Sequence, residues 1–281
     1  MAGTKRSWEG EMVTSNDDVT MSNAEESPRS VQSIFENFRD ELDEHHDRRE
    51  RVVKASRDIT ASSKKVIFSL QRLRNINAPI PQSITDENSK RFTQITDLFN
   101  SISGDISGIN GWRYQRQISP GIQEFIEAFS FDQYVRHQRL VSLQDVVEAL
   151  PKNVLLTEED YLLGLYDLTG EMMRFAVTAM ATGGGAKPQN TDGAAGDENK
   201  GPGLPESQTA IVVDLRAMRA QFEGLNIPPR HGIMREVHKK VETMQASVEK
   251  VEKAAYGVLV RGSERPGGWV PDLSAPEVES Y

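Results

Sequence analysis

The fold of this chain is decided by residues 31–73, VQSIFENFRDELDEHHDRRERVVKASRDITASSKKVIFSLQRL. Within this stretch one set of side chains recurs at intervals that alternate between four and three residues. That spacing keeps the set on one face of an α-helix, so it predicts a continuous helix of about 65 Å that starts at Ser27–Pro28. The set consists of Val31, Phe35, Phe38, Leu42, His45, Arg49, Val52, Ser56, Ile59, Ser63, Val66, Leu70 and Leu73.

Helical spacing continues along the rest of the chain, and proline and glycine separate the segments. Thr157 and Asp160 predict a capping box at the start of one helix, and the last helix carries a heptad seam. Because no stretch alternates like a β-strand, the predicted class is all-α, a helical bundle with very long first and last helices. The predicted segments are a helix from Ser83 to Ile102, a helix over Trp112–Tyr134 with a kink or restart near Pro120, short turns over Ser142–Leu150, and helices over Thr157–Ala181, Thr209–Glu223 and Met234–Val258.

Composition separates a central helical domain from polar ends. Residues 1–26 are polar and acidic with little to bury, which predicts a disordered N-terminal tail. The helical domain spans residues 27–262 and contains a flexible connector at residues 182–207, where Gly, Pro, Asn, Asp and Lys dominate. Residues 263–281 are rich in proline and predict a loose C-terminal tail.

Charge and residue usage exclude several function classes. The net charge of -9 argues against a protein that coats nucleic acid non-specifically, so any RNA contact must be local. The absence of cysteine excludes disulfides, thiolate nucleophiles and cysteine-ligated zinc. No apolar run is long enough to span a membrane, and the first residues lack a secretory signal. We therefore expect no membrane partner and a cytoplasmic and nuclear location.

Two acidic pairs at helical spacing are the strongest sign of chemistry. Glu124 with Glu127, and Asp167 with Glu171, each place two carboxylates on one face of a helix. If the two faces meet, four hard oxygen donors converge, and one or more would hold a proton unless a divalent cation neutralised them. One interpretation is a magnesium or manganese site. The alternative is two solvated helix faces, which is common for acidic residues.

The first helix also carries basic residues that allow two interpretations. Arg48, Arg51, Lys54 and Arg57 are followed by the pair at 64–65, Lys-Lys. They can bind nucleic acid if they line a cavity. They can also form a solvated helix face, which is the commoner arrangement for such residues.

Four long stretches carry a family resemblance: ELDEHHDRRERVVKASRDITASSKKVIFSLQR (41–72), GIQEFIEAFSFDQYV (121–135), DYLLGLYDLTGEMMR (160–174) and VEKVEKAAYGVLVRGSERP (248–266). They resemble the translin-associated factor X (TRAX) family of the translin superfamily, in the same order. The likeness extends from about residue 33 to 266. It implies a translin-like bundle of about seven helices.

The resemblance also implies a function. Members of the family join translin in a closed hetero-oligomeric shell that acts as a magnesium-dependent endoribonuclease on single-stranded RNA. Implied roles are removal of the nicked passenger strand of small interfering RNA and trimming of transfer-RNA precursor fragments. The family's catalytic acids fall here on Glu124 and Glu127 within QEFIEA, and on Asp167 and Glu171 within DLTGE. The chain therefore resembles the catalytic subunit.

The mechanism expected from this resemblance is hydrolysis of a phosphodiester by water that the cation activates. Glu124, Glu127 and Asp167 would bind Mg²⁺, for which Mn²⁺ can substitute, and Glu171 would be a further ligand or the base that orients the water. The competing hypothesis is a non-catalytic, translin-binding and nucleic-acid-binding scaffold whose acids are structural.

Overall fold

The described part of the chain, residues 31–183, 204–228 and 232–261 of a computed structural model, is helical throughout its regular structure and contains no strand. This confirms the all-α class. Of the eight helices in this part of the chain, two are short and six are long. The helices are α1 (Val31–Leu70), α2 (Gln82–Ser101), α3 (Ile109–Arg113), α4 (Gln115–His137), α5 (Leu143–Ala149), α6 (Glu158–Gly183), α7 (Glu206–Glu223) and α8 (Met234–Arg261).

Several helix ends differ from the predicted ones. The restart expected near Pro120 lies earlier, at Tyr114, and Pro120 is inside α4. Pro120 lies beyond the first turn of α4, where its missing N–H removes one intrahelical hydrogen bond without ending the helix. α6 and α7 both extend into the predicted connector at residues 182–207. The predicted tails, 1–26 and 263–281, lie outside the described residues, as do residues 184–203 of the connector.

The chain divides into two units, Met1–His46 and Asp47–Tyr281, and α1 contributes residues to both. In the second unit the predicted stripe of α1 is buried, with Val52, Ile59, Val66 and Leu70 fully inaccessible. In the first unit the stripe is exposed, and its apolar members face solvent. These exposed side chains are Val31, Phe35, Phe38 and Leu42.

Helix α6 lies at the centre of the second unit, where it packs against α4, α7 and α8. Its core face buries Leu168, Met172 and Phe175, and the Phe175 ring meets Phe131 of α4 edge to face with centroids 5.9 Å apart. The heptad seam of α8 also points inward, since Met244 is fully buried. No helix of the described residues has the length and apolar character needed to cross a membrane.

Gly164 permits the close approach of α6 and α4. A Cβ atom built at this position would lie 2.8 Å from Ile126 Cγ2 and 3.0 Å from the carbonyl oxygen of Gln123. Both contacts are too short for a side chain, so only glycine allows this helix spacing.

We expect Gly164→Ala to lower the free energy of unfolding by about 1–3 kcal/mol, because the new methyl group overpacks the contact with Ile126. Gly257→Ala is the matched control, since a Cβ there meets nothing within 4 Å. The control should gain up to about 1 kcal/mol from helix propensity. Thermal unfolding of the full-length chain measures both, and equal stability of the two variants would contradict the tight packing at Gly164.

Candidate active site

The four acids singled out in the sequence line one cavity of about 320 Å³. Glu124 and Glu127 enter it from α4, and Asp167 and Glu171 enter it from α6. The structure therefore brings together side chains that lie far apart in the sequence. The remaining lining residues come from α1, α6 and α8, namely Lys64, Tyr166, Gly170, Lys240 and Thr243.

Helix geometry explains why the two pairs converge. Each pair is spaced so that both carboxylates share one helix face, and the contact at Gly164 brings those faces together. At Gly170, one residue before Glu171, an added Cβ would meet nothing within 4 Å. The glycine therefore leaves the α6 side of the cavity open.

Lysines from two other helices neutralise two of the acids. The Lys64 ammonium of α1 lies 3.7 Å from Glu124 Oε2. The Lys240 ammonium of α8 contacts both carboxylate oxygens of Asp167. Lys64 thereby offsets the burial of Glu124, and Lys240 balances the negative charge of Asp167, which is more exposed.

The orientation of Glu171 is fixed from two sides. Gln71 Nε2 donates to Glu171 Oε2 at 2.8 Å and to the Glu171 carbonyl oxygen at 2.9 Å. The Arg174 guanidinium lies 3.2 Å from Glu171 Oε1. A carboxylate held this way can present a lone pair in a defined direction.

Glu127 is the most perturbed acid of the cavity. Burial raises its pKa to about 8, and the charges of Glu124, Asp167 and Glu171 contribute in the same direction. The pKa of Glu124 is also raised by burial, which the nearby Lys64 partly offsets. At neutral pH without an added cation, Glu127 holds a proton. This agrees with the expectation that such a cluster repels itself.

The donors fit a hard divalent cation by type, because all four are carboxylates. In the arrangement observed, however, no three Asp, Glu, His or Cys side chains among residues 31–183, 204–228 and 232–261 are grouped closely enough to hold a metal ion. The ammonium groups of Lys64 and Lys240 engage Glu124 and Asp167 instead. A cation would require these side chains to rearrange.

Sequence reasoning missed Tyr166 and Lys240. Tyr166 is only 3% exposed, stacks on Phe222 with ring centroids 4.2 Å apart, and its hydroxyl has no hydrogen-bond partner within the described residues. Lys240 directly precedes Val241 of the α8 seam. This position beside the apolar seam of α8 is the sequence feature that could have identified Lys240, because a lysine there lies at the edge of the packed helix face.

The basic residues of α1 divide into two groups. Arg51 donates to both carboxylate oxygens of Asp105, at 2.9 and 2.7 Å, and Arg48 lies 4.0 Å from the same carboxylate. The hydrogen bond from Arg51 lowers the pKa of Asp105. These arginines therefore hold α1 against the segment between α2 and α3. Of the basic residues singled out, Lys64 alone lines the carboxylate cavity.

An all-α bundle with a carboxylate-lined cavity between its helices is the class that the fold and the site define. The chain belongs to the translin family, whose family model matches residues 47–262.

Among curated relatives, translin-associated protein X of Mus musculus is 30% identical over 86% of this chain and 83% of its own length. The homologue from Schizosaccharomyces pombe is 27% identical over 84% of this chain and 91% of its own length. These similarities confirm the resemblance read from the motifs.

Solved structures support the fold. The structure of apo-NeC3PO matches with a TM-score of 0.57 and 15% identity, covering 79% of this chain and 95% of that one. The structure of AfC3PO matches with a TM-score of 0.53 and 15% identity, covering 81% and 98%. At this level of identity the likeness establishes the helical architecture alone.

The raised pKa of Glu127 makes stability depend on pH. Between its ordinary value of 4.5 and about 8, the folded state keeps a proton that the unfolded state releases, so stability falls as pH rises. We expect Glu127→Gln to remove this loss and to stabilise the chain by up to about 4 kcal/mol near pH 8 in EDTA. Unfolding at pH 5 and pH 8 measures the difference.

Glu249→Gln, an exposed position on α8, is the control and should leave the pH dependence as it is in the wild type. A Glu127→Gln variant with the wild-type pH dependence would show that Glu127 is ionised in the cavity.

Proposed function

We propose that this chain is the catalytic subunit of a hetero-oligomer with translin, and that this complex is a magnesium-dependent endoribonuclease acting on single-stranded RNA in the cytoplasm and nucleus. The observation that carries the proposal is the convergence of Glu124, Glu127, Asp167 and Glu171 in one cavity. The same four residues occupy the acidic positions of the QEFIEA and DLTGE motifs.

The cavity residues have distinct roles in this proposal. Glu124, Glu127 and Asp167 would hold Mg²⁺, which supplies Lewis acidity to the attacking water and offsets charge on the phosphate. Glu171, whose orientation Gln71 and Arg174 fix, would be a further ligand or the base that orients the water and takes its proton. The products of the hydrolysis are a phosphate monoester and a free hydroxyl on the two RNA fragments.

One observation favours a second candidate, a non-catalytic scaffold that binds translin and nucleic acid. Lys64 and Lys240 neutralise Glu124 and Asp167, as they would in a structural cluster of ion pairs. The scaffold therefore predicts that the acids stabilise the fold without any chemical step.

Isosteric substitution separates the two candidates. We expect Glu127→Gln and Asp167→Asn to reduce magnesium-dependent cleavage of single-stranded RNA by about 100-fold or more in the reconstituted complex. Asp97→Asn, at an exposed position of α2, is the matched control and should retain full activity. Unchanged cleavage in both cavity variants would leave the scaffold as the function.

The exposed stripe of α1 leads to a prediction about partnership. Phe35 and Phe38 are 67% and 55% exposed, and contiguous exposed apolar side chains promote association. We expect the chain alone to self-associate and to form a defined oligomer when co-expressed with translin. Sedimentation velocity measures both states.

The double variant Phe35→Ser, Phe38→Ser should reduce self-association, while Trp112→Ser, which is also exposed, serves as the control. A stable wild-type monomer in the absence of translin would contradict this prediction.

A further inference from the structure

We infer that Lys240 is an exchangeable counter-cation of the carboxylate cavity: it pairs with Asp167 while no divalent cation is bound, and binds the scissile RNA phosphate once a cation takes its place. The inference rests on the proposed function and adds to it a phosphate-binding residue outside both acidic motifs.

The position of Lys240 is fixed at its backbone and adjustable at its ammonium. Helix α8 packs along α6, and Val237 and Met244 on either side of Lys240 are buried. The lysine side chain crosses from this packed face to both carboxylate oxygens of Asp167. Its flexible four-carbon stem allows the charge to move several ångströms without any shift of the helix.

Electrostatics explains why the ammonium and a divalent cation exclude each other. The Lys240 ammonium contacts both oxygens of Asp167, so a metal bound to the same carboxylate would lie beside a positive charge. Two positive charges this close repel each other, and the repulsion is stronger in a partly buried cavity than in water. A cation among the four carboxylates therefore displaces Lys240 from Asp167.

A displaced ammonium in this cavity needs another anion, and the RNA phosphate is the one that the proposed reaction brings. Lysine binds phosphate as a compact point charge. The Lys240 side chain is 23% exposed, so it can reach a ligand at the cavity, whereas the Lys64 side chain is 53% exposed and lies further from its carboxylate partner. Lys240 is thus the more enclosed of the two cations.

A second feature of the cavity also suits an anion. The Tyr166 hydroxyl is buried and has no hydrogen-bond partner within the described residues, and Tyr166 lines the same cavity as Lys240. A buried donor without an acceptor is unfavourable. Tyr166 also lines a second cavity beside Phe222, and in this inference a phosphate oxygen in the carboxylate cavity is the acceptor for its hydroxyl.

The test uses the full-length chain in its complex with translin. Lys240→Met removes the ammonium, Lys240→Gln repeats the change with a polar side chain, and Lys239→Met is the matched control at the neighbouring exposed position. Mn²⁺ affinity is measured by electron paramagnetic resonance of free Mn²⁺ without RNA. The rate of RNA cleavage is measured separately at saturating Mn²⁺.

The two measurements should change in opposite directions. Without Lys240 no ammonium competes for Asp167, so we expect Mn²⁺ to bind about tenfold more tightly. Cleavage at saturating Mn²⁺ should fall about 100-fold, because the phosphate loses its cation. Lys239→Met should match the wild type in both measurements.

Either measurement, the Mn²⁺ affinity or the rate of RNA cleavage, can overturn the inference. If the wild-type complex cleaves RNA and the Lys240 variants bind Mn²⁺ no more tightly, or cleave as fast as the wild type, the inference is wrong and the proposed function stands. If the wild-type complex binds Mn²⁺ and does not cleave RNA, the proposed function fails together with the phosphate role. Tighter Mn²⁺ binding would then still support the counter-cation role.

Discussion

The contact between α4 and α6 at Gly164 is the constraint on which the rest of the structure depends. The missing side chain brings the α6 backbone against Ile126 and the Gln123 carbonyl of α4. Each helix carries its acidic pair on the face that this contact turns toward the other. A larger residue at 164 would separate the faces, so one glycine determines both the packing of the core and the geometry of the cavity.

Bringing four carboxylates together requires compensation, which comes from helices that the core already holds in place. α1 supplies Lys64 and α8 supplies Lys240, while the apolar stripes of the same helices bury Val66 and Met244. Each of these two helices has an apolar face with a lysine at its edge. Packing of the apolar faces in the bundle therefore also places the positive charges at the cavity. Stability of the fold and ionisation of the site are therefore linked.

The fold was predictable because helix periodicity is a local property of the sequence. The heptad seam of α8 and the capping pair Thr157 and Asp160, whose Asp160 N–H donates to Thr157 Oγ1 at 3.1 Å, are short-range patterns. The sequence predicted that the two acidic pairs converge only if their helix faces meet. Whether the faces meet depends on the close approach of α4 and α6 at Gly164. The pairing of Lys240 with Asp167 spans α8 and α6, and no local pattern encodes such a contact.

Two buried acids on neighbouring helix faces differ in how the protein compensates their burial. Asp160 accepts hydrogen bonds from the side chains of Gln115, Ser119, Gln123 and Thr157, so its burial is compensated.

Glu127 is buried to a similar degree, yet no hydrogen bond or ion pair to its side chain occurs within the described residues. Burial raises its pKa, and the three carboxylates around it raise that pKa further. Burial of this kind destabilises the fold by itself. A carboxylate in so unfavourable an environment is typical of a functional site. A cation shared with Glu124 and Asp167 would offset the unfavourable free energy of burying Glu127.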